Sequence, residues 1–519
     1  MRSQRPPGTT LPSSLAERIA AVAPEHLLGM RRGIEKESLR VLPAGGLALT
    51  PHPPALGSAL THARITTDYC ESQLELITGV NASAEACVDE ITQIHQYVLQ
   101  ALRENGQEML WVASMPCGLP PDETIPIGRY GTSNIGRAKS IYRMGLGHRY
   151  GRRMQTISGI HYNWSMPGLG NDEYFALIRN FRRHAFLLLT LFGASPALCT
   201  SFVDGRPHEL QRLSTNTLYL PHATSLRMGR LGYQSEAQAS LAVSYNSLER
   251  YGASLHDAMT RPYPPYEAIG IRNLGGEYNQ LATTLLQIEN EFYGTIRPKR
   301  VIRSGERPLH ALRERGVQYV EVRCMDLDPF VPVGIEASTM RMLDVFLLHC
   351  LLADSPPDTP DEIAALGRNQ HRSAAFGREP GVKLERDGRE VPLIEWGAEI
   401  LEACSPIAQR LDAVHGGAGY REALAAARLA LQHPDLLPSA RVLDDMRNVH
   451  DGSYTRFVRV RSEAARDHLL ALPFPADLRE RFVTEAQASL AEQRRIEKLE
   501  QPPFEVFRQQ YLAPETLVV

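Results

Sequence analysis

Apolar residues recur along this chain with two different periods. Val88, Ile91, Ile94, Val98 and Leu102 are three or four apart, the spacing of one helix face, and Ser83 stands before them as a capping residue. The spacing predicts a helix there. Asp172–Phe192 and Ile335–Ala353 read as two further helices, apolar enough to be buried. Elsewhere the period is two. In Gly33–Val41, GIEKESLRV, a strand would put Ile34, Lys36 and Ser38 on one face and Glu35, Glu37 and Leu39 on the other. Val317–Val322 continues the same way, with Tyr319, Glu321 and Arg323 against Gln318, Val320 and Val322. Residues 65–78, ITTDYCESQLELIT, are rich in threonine and aromatic residues and also read as strand. Leu15–Leu28 reads as a short first helix, and residues 1–14 as a disordered tail. Strands mixed with long helices, without regular βαβ alternation, favour an α+β fold.

The heptapeptide Asp354–Pro360, DSPPDTP, has the composition of a linker. It separates an expected catalytic core, 15–353, from a mainly helical part, 354–519, expected to pack on the same domain. In the latter, Glu485–Glu500 reads as a charged helix with a solvated or docking face. Lys and Arg number 56 against 59 Asp and Glu, a net charge of −3. A chain so balanced has no overall field to gather nucleic acid or an anionic membrane, so any anion must be bound locally. The longest apolar stretches, around Ala185–Phe192 and Val345–Ala353, are too short for a bilayer span. The polar N-terminus lacks the apolar core of a secretory signal. Seven dispersed cysteines without a C-x-x-C pair read as reduced cytosolic thiols, not a disulfide frame or a zinc site. The expectation is a cytoplasmic protein.

Standard nucleotide and hydrolase motifs are missing. Gly131–Ala138, GTSNIGRA, has the two glycines of a phosphate loop but Arg137-Ala138 where Lys-Ser/Thr is needed, so it reads as a turn. What remains is carboxylates and arginines. Glu35 and Glu37 share a strand face, Asp68 and Glu75 lie in a second apparent strand, and Glu321 accompanies Arg323 in a third. Acids inside apolar strands are costly unless paired or holding a cation. Magnesium takes oxygen ligands and keeps phosphates in its shell, so several such strands converging would make its site. One spacing opposes this: Asp68 and Glu75 are seven apart, on opposite faces of any regular strand. Arg297, Lys299, Arg300 and Arg303 fall within seven residues and suit polyphosphate.

A longer series of segments carries a resemblance. GIEKESLRV, GSALTHARITTDYCESQLELIT, RYGTSNIGRAKSIYRMGLGHRYG, MQTISGIHYNWSMP, LFGASPALC, LPHATSLRMGRLGY, QIENEFYGTIRPKR and YVEVRCMDLDPF resemble, in order, the proteobacterial type of glutamate–cysteine ligase. The match is dense from Gly33 to Phe330 and thinner beyond.

The resemblance implies a curved antiparallel sheet forming a funnel of glutamine-synthetase type, surrounded by helices. It implies magnesium, or manganese in its place, on Glu35, Glu37, Asp68, Glu75 and Glu321. It implies a cysteine pocket of Tyr69, Tyr142, Leu146, Tyr233 and Tyr293, with Arg227 on the cysteine carboxylate. Gln155 and Asn163 would line the glutamate and nucleotide region, Arg323 would stand beside the transferring phosphoryl group, and Arg297, Lys299 and Arg300 would lie at the nucleotide end. The implied activity joins the glutamate γ-carboxylate to the cysteine amine with ATP as co-substrate, the first step of glutathione biosynthesis, in a monomer. The alternatives are another small amine acceptor or a non-catalytic amino-acid-binding relative. A fusion carrying a second ligase is disfavoured by length.

Overall fold

The alternation in GIEKESLRV becomes an inner strand of a sheet. The computed structural model describes residues 14–232, 236–239, 241–303 and 305–513. Seven strands form its main sheet: β1 (Arg31–Val41), β2 (Ile65–Thr67), β3 (Gln73–Ile77), β4 (Met109–Leu110), β5 (Ile160–Ser165), β6 (Ile296–Lys299) and β7 (Tyr319–Met325). The order is β2-β3-β1-β5-β7-β6, all neighbours antiparallel, with β4 pairing the end of β1. The sheet is open, with β2 and β6 at its edges.

Register puts the chemistry on one face. Glu37 lies opposite Glu75, Glu35 opposite His161, and Glu321 opposite both Asn163 and Arg297. Directly opposed residues point to the same side of a sheet. The other side carries Ile34, Leu74, Leu76, Ile160, Tyr162, Trp164, Val320, Val322 and Ile296, all fully buried. Three helices cover it: α1 (Ala84–Glu104), α3 (Asn171–Phe192) and α4 (Ala337–Leu352), with α2 (Asn134–Tyr150) lying elsewhere, against the β2–β3 hairpin. α1 starts as its sequence predicts. The Ser83 hydroxyl accepts from Ala86 N–H at 3.1 Å, and Ile91, Ile94, Val98 and Leu102 are buried. At the start of α3 the Glu173 carboxylate accepts from Gly170 N–H.

Four expectations change, and one, the docking face of the charged C-terminal helix, is met. Leu15–Leu28 is two helices, Leu15–Ala20 and Pro24–Leu28, because Pro24 holds Ala23 extended at ψ 138°. GTSNIGRA is not a turn: Ser133 caps α2 and its hydroxyl accepts from Gly136 N–H. Asp354–Pro360 is no slack linker, since buried Asp358 accepts from Tyr245 N–H and Ser244 Oγ and pairs with Arg182, leading directly into α5 (Pro360–Phe376). The charged C-terminal helix, α6 (Ala476–Lys498), docks inward. Ser489 accepts from Ser58 N–H at 2.9 Å, and Gly57, at φ 82°, is glycine because a side chain there would meet Ser489 and Ala486. Finally, Cys117 and Cys199 form a disulfide with Cα atoms 5.2 Å apart, both sulfurs touching Thr455 Oγ1, while Cys70, Cys87, Cys324, Cys350 and Cys404 are free and buried. Their 82-residue separation in sequence hides a pairing that only the fold creates. The tail before Ser14 lies outside the described residues.

The position of β1 against α4 rests on one buried ion pair. Arg32 Nη2 is 2.7 Å from Asp344 Oδ2, both side chains are fully buried, and Tyr162 OH donates to Asp344 Oδ1 at 2.7 Å. Removing one partner of such a pair strands the other charge in the core. Asp344→Ala should therefore cost about 3–5 kcal/mol of stability in equilibrium urea unfolding. A loss below about 1 kcal/mol would show that Arg32 finds water or another partner instead.

Candidate active site

The polar face of the sheet crowds acids around one imidazole. Glu35 Oε2 is 3.2 Å from His161 Nδ1, Glu37 Oε1 is 3.6 Å from its Nε2, and Glu321 Oε1 is 3.8 Å from Nδ1. Candidate ligand atoms of Glu35, His161 and Glu321 all lie within 4.8 Å of one another. Local hydrogen bonds aim the carboxylates. Asn163 Nδ2 donates to Glu35 Oε1 at 2.9 Å, Gly159 N–H donates to Glu37 Oε2 at 2.7 Å, and Arg323 Nη1 donates to Glu321 Oε2 at 3.0 Å.

Asp68 and Glu75 join this face by a route that the spacing rule does not cover. They are not on one strand: β2 ends at Thr67, the chain reverses, and β3 begins at Gln73. Thr67 pairs with Leu74 and Asp68 N–H reaches Gln73 O, so Asp68 falls on the side of Gln73 and Glu75. A hairpin turn resolves the seven-residue parity.

The acids differ in their electrostatics. Burial pushes the Glu75 carboxyl well above the ordinary range, and Glu35, Asp68 and Glu37 push it further. Burial and Asp68 also raise Glu37. Glu321 goes the other way: burial opposes its charge, but Lys299, 3.3 Å away, and Arg323 hold its carboxyl well below the usual value. Cations thus outweigh burial at Glu321, whereas at Glu75 and Glu37 burial and neighbouring carboxylates outweigh them. Carboxylate oxygens with a single imidazole suit a hard divalent cation such as magnesium or manganese.

Beside the acids stands an aromatic wall. Tyr69 and Leu146 are buried in one apolar cluster, with Tyr142 and Tyr293 packed against it. Gln155 Nε2 donates to Tyr293 OH at 2.8 Å. The Tyr69 hydroxyl is buried and has no hydrogen-bond partner among the described residues. Arg227 is buried, donates to the Arg323 carbonyl at 2.9 Å, and lies 3.7 Å from Asp326. Its guanidinium fills the space where a side chain at position 159 would go, so Gly159 must be glycine. A cleft of about 30 Å³ lies between Arg227, Tyr293, Thr295 and Arg323.

Of the expected residues, Tyr233 lies outside the described part. Lys299 faces the acid cluster. Arg297 is buried below it, donating to the Asn290 and Phe292 carbonyls. Arg300 points elsewhere, to the carbonyls of Arg315 and Gly316 that end the helix Pro308–Arg315. His161 was not among the residues expected at the site, and here it stands among the acids. Its parity with Asn163 in GIHYNW was the available signal.

The glutamate–cysteine ligase family model matches residues 19–373. The glutamate–cysteine ligase of Azotobacter vinelandii is 49% identical over 502 residues, covering 93% of this chain and 94% of its own. That of Alcanivorax borkumensis is 45% identical, covering 96% and 99%. Among solved structures, a glutamate–cysteine ligase of Francisella tularensis in complex with AMP superposes with a TM-score of 0.89 at 34% identity, over 94% of this chain and 98% of that one. A bifunctional glutathione synthetase of Pasteurella multocida superposes with a TM-score of 0.66 at 26% identity, over 86% of this chain and 53% of that one.

Glu75 holds its proton more tightly in the folded, cation-free protein than in the unfolded chain. The stability it contributes therefore falls as pH rises from the ordinary carboxylate range through its raised value. Glu75→Gln should raise the Tm of the cation-free protein by about 2–4 °C at neutral pH, with less gain near pH 5, where the native carboxyl is protonated. The same variant should lose most of the thermal stabilisation that magnesium gives the wild type. A Tm gain independent of pH would remove charge repulsion as its cause.

Proposed function

The chain belongs to the glutamate–cysteine ligase family, and on that premise we propose that the acid face of its sheet is where ATP phosphorylates glutamate before cysteine attacks. The activity is ATP-dependent ligation of the glutamate γ-carboxylate to the cysteine amino group, the first step of glutathione biosynthesis. The observation that carries the site assignment is the crowding of five carboxylates and His161 on one sheet face, only partly offset by cations. Glu35, His161 and Glu321 would hold one divalent cation and Glu37, Asp68 and Glu75 another. Magnesium bound there supplies the positive charge that lets two anions, the γ-phosphate and the γ-carboxylate, approach each other.

The chain's own groups do the rest. Arg323 reaches over the cluster, 3.0 Å from Glu321 and 3.5 Å from His161 Nδ1, where its guanidinium can follow the charge on the phosphoryl group as it moves. The product of that step, γ-glutamyl phosphate, is already activated, so the second step needs position more than chemistry. Arg227 takes the cysteine carboxylate, and Tyr69, Tyr142, Leu146 and Tyr293 enclose its side chain, with Tyr233 assigned to the same pocket by the family resemblance alone. Gln155 keeps the Tyr293 hydroxyl aimed, and Asn163 keeps Glu35 aimed. Arg297 and Lys299 face the nucleotide end, and Arg300 reaches that end only by closing its helix. No protein nucleophile takes part, which agrees with the absence of a serine or cysteine motif.

We further take the open sheet as the wall of a funnel of glutamine-synthetase type. Residues 354–519 buttress it within the same domain, and the enzyme is a cytoplasmic monomer. No described helix is long and apolar enough to cross a membrane. One observation favours a second reading, the same ligase with another small acceptor: the unpartnered Tyr69 hydroxyl offers a hydrogen bond that a thiol uses weakly.

ADP release with glutamate and a panel of amines decides between them. Cysteine should give the highest kcat/KM, and a bulky or charged amine that outperformed it would overturn the acceptor while leaving the ligase class. Arg227→Ala should raise the KM for cysteine about thirtyfold or more while the KM values for ATP and glutamate change little. Decarboxylated cysteine should discriminate less between the two enzymes. An equal loss with both acceptors would assign Arg227 to the fold, through Asp326 and the Arg323 carbonyl.

A further inference from the structure

The aromatic wall of the site rests on a residue with no assigned task. Gln238, in the short helix Glu236–Ala239, is buried and directs its whole side-chain amide at this wall. Its Oε1 accepts from the Tyr293 backbone N–H at 3.0 Å, and its Nε2 donates to the Glu291 carbonyl at 2.9 Å and to the Tyr150 hydroxyl at 3.1 Å. A backbone N–H can only donate and a carbonyl only accept, so the amide has one orientation. The Tyr150 hydroxyl, having accepted, donates onward to Glu291 Oε1 at 2.6 Å. The same carboxylate takes Arg149 Nη1 at 2.8 Å and the Gln287 N–H at 2.7 Å, and the Arg149 and Glu291 side chains are fully buried. Arg149 and Tyr150 end α2, the helix that carries Tyr142 and Leu146. Gln238 thus ties Tyr293 to the end of that helix through bonds whose donors and acceptors are all fixed.

Packing alone does not hold Tyr293. The residue is half-buried and lines two spaces, a cavity of about 470 Å³ that Gln238 also lines and the small cleft beside Arg227 and Arg323. It stands between them. A ring with open space behind it can yield, because an unfilled volume offers no contacts to resist its movement. Its centroid is 5.6 Å from that of Tyr150 in an edge contact. Gln155 holds the hydroxyl end of the side chain, and Gln238 holds the backbone end. We propose that Gln238 is a positioning residue for the acceptor. By fixing the backbone of Tyr293 against the end of α2, it sets the width of the acceptor pocket and so its preference for a short side chain. The proposal rests on the ligase reading above. The described bonds of the Gln238 side chain all go to this wall and none to the acid cluster, so its loss should reach cysteine and spare glutamate and ATP.

Gln238→Met, which keeps the length of the side chain without its amide, tests this by steady-state ADP release. The KM for cysteine should rise about five- to twentyfold, while kcat and the KM values for ATP and glutamate stay within about twofold. Homocysteine, with a side chain one methylene longer, separates positioning from a general loosening of the fold. The preference for cysteine over homocysteine should fall about three- to tenfold, read as kcat/KM where homocysteine is turned over and as Ki where it only competes. Tyr150→Phe keeps the ring and removes one link of the chain. It is the second variant should the first not fold, with an expected rise of about two- to fivefold in the same KM. An unchanged KM for cysteine, a loss shared equally with ATP and glutamate, or an unchanged preference against homocysteine would overturn the assignment. If the wild-type enzyme released no ADP with glutamate and cysteine, the ligase reading itself would fail, an outcome separate from any effect of Gln238.

Discussion

Mutual repulsion among carboxylates on one face of a single sheet is the constraint that the remaining structure serves. Glu35, Glu37, Asp68, Glu75 and Glu321 would separate in water. Here backbone pairing holds them together, because Glu37 opposite Glu75 and Glu35 opposite His161 are consequences of ladder register. A slip of one residue would turn every one of these side chains to the other face. The register must therefore be overdetermined, and the opposite face does this. Its apolar residues pack on α1, α3 and α4, and Arg32 of β1 is bonded to Asp344 of α4 with both side chains fully buried. The hydrophobic face contributes stability and the acid face uses some of it.

The protein neutralises only part of that acid face. Lys299 and Arg323 compensate Glu321, and His161 sits between three carboxylates. Full compensation at Glu75 and Glu37 would have given a more comfortable sheet with no affinity for cations. Burial and neighbouring carboxylates raise their pKa, a cost that a bound cation would relieve. Arg143, at the rim, offsets the like charges around Glu75 only in part.

How much of this was legible in the sequence depends on whether a residue sits in a periodic element. The shared face of Glu35 and Glu37, the pairing of Glu321 with Arg323, and the capped helix after Ser83 followed from period alone. Asp68 and Glu75 did not, because parity counts fail across a turn that sequence did not place. The helix Asn134–Tyr150 escaped because its apolar positions form no stripe and its start resembled a phosphate loop. Tyr69, Gln155, Arg227 and Tyr293 lie at loops or helix ends, where no period exists, and only the family resemblance singled them out. Arg300 looked equivalent to Lys299, yet strand parity ends between them and a carbonyl cluster at Gly316 claims it. The bond between Cys117 and Cys199 depends on a contact between segments distant in sequence.

The resemblance of GTSNIGRA to a phosphate loop has a physical explanation. Free N–H groups at a helix start attract anions, and glycines let them come close. In this chain other anions and dipoles have taken that place. Asn134 N–H donates to Gln501 Oε1 at 2.6 Å and Thr132 N–H to the Glu497 carboxylate at 2.8 Å, while Ser133 caps Gly136. The C-terminal helix, through Glu497 and the chain just beyond it, thus occupies the seat a phosphate would have taken. That occupancy fixes the pitch and position of α2 from its first turn. The same helix then carries Lys139, Tyr142, Arg143 and Leu146 along the next two turns, over the hairpin that bears Asp68. A contact between residues more than 300 apart in sequence thereby sets where this helix lies against the hairpin. The charged C-terminal helix does this through its polar residues, which is why its hydrophobic pattern alone gave no sign of the role.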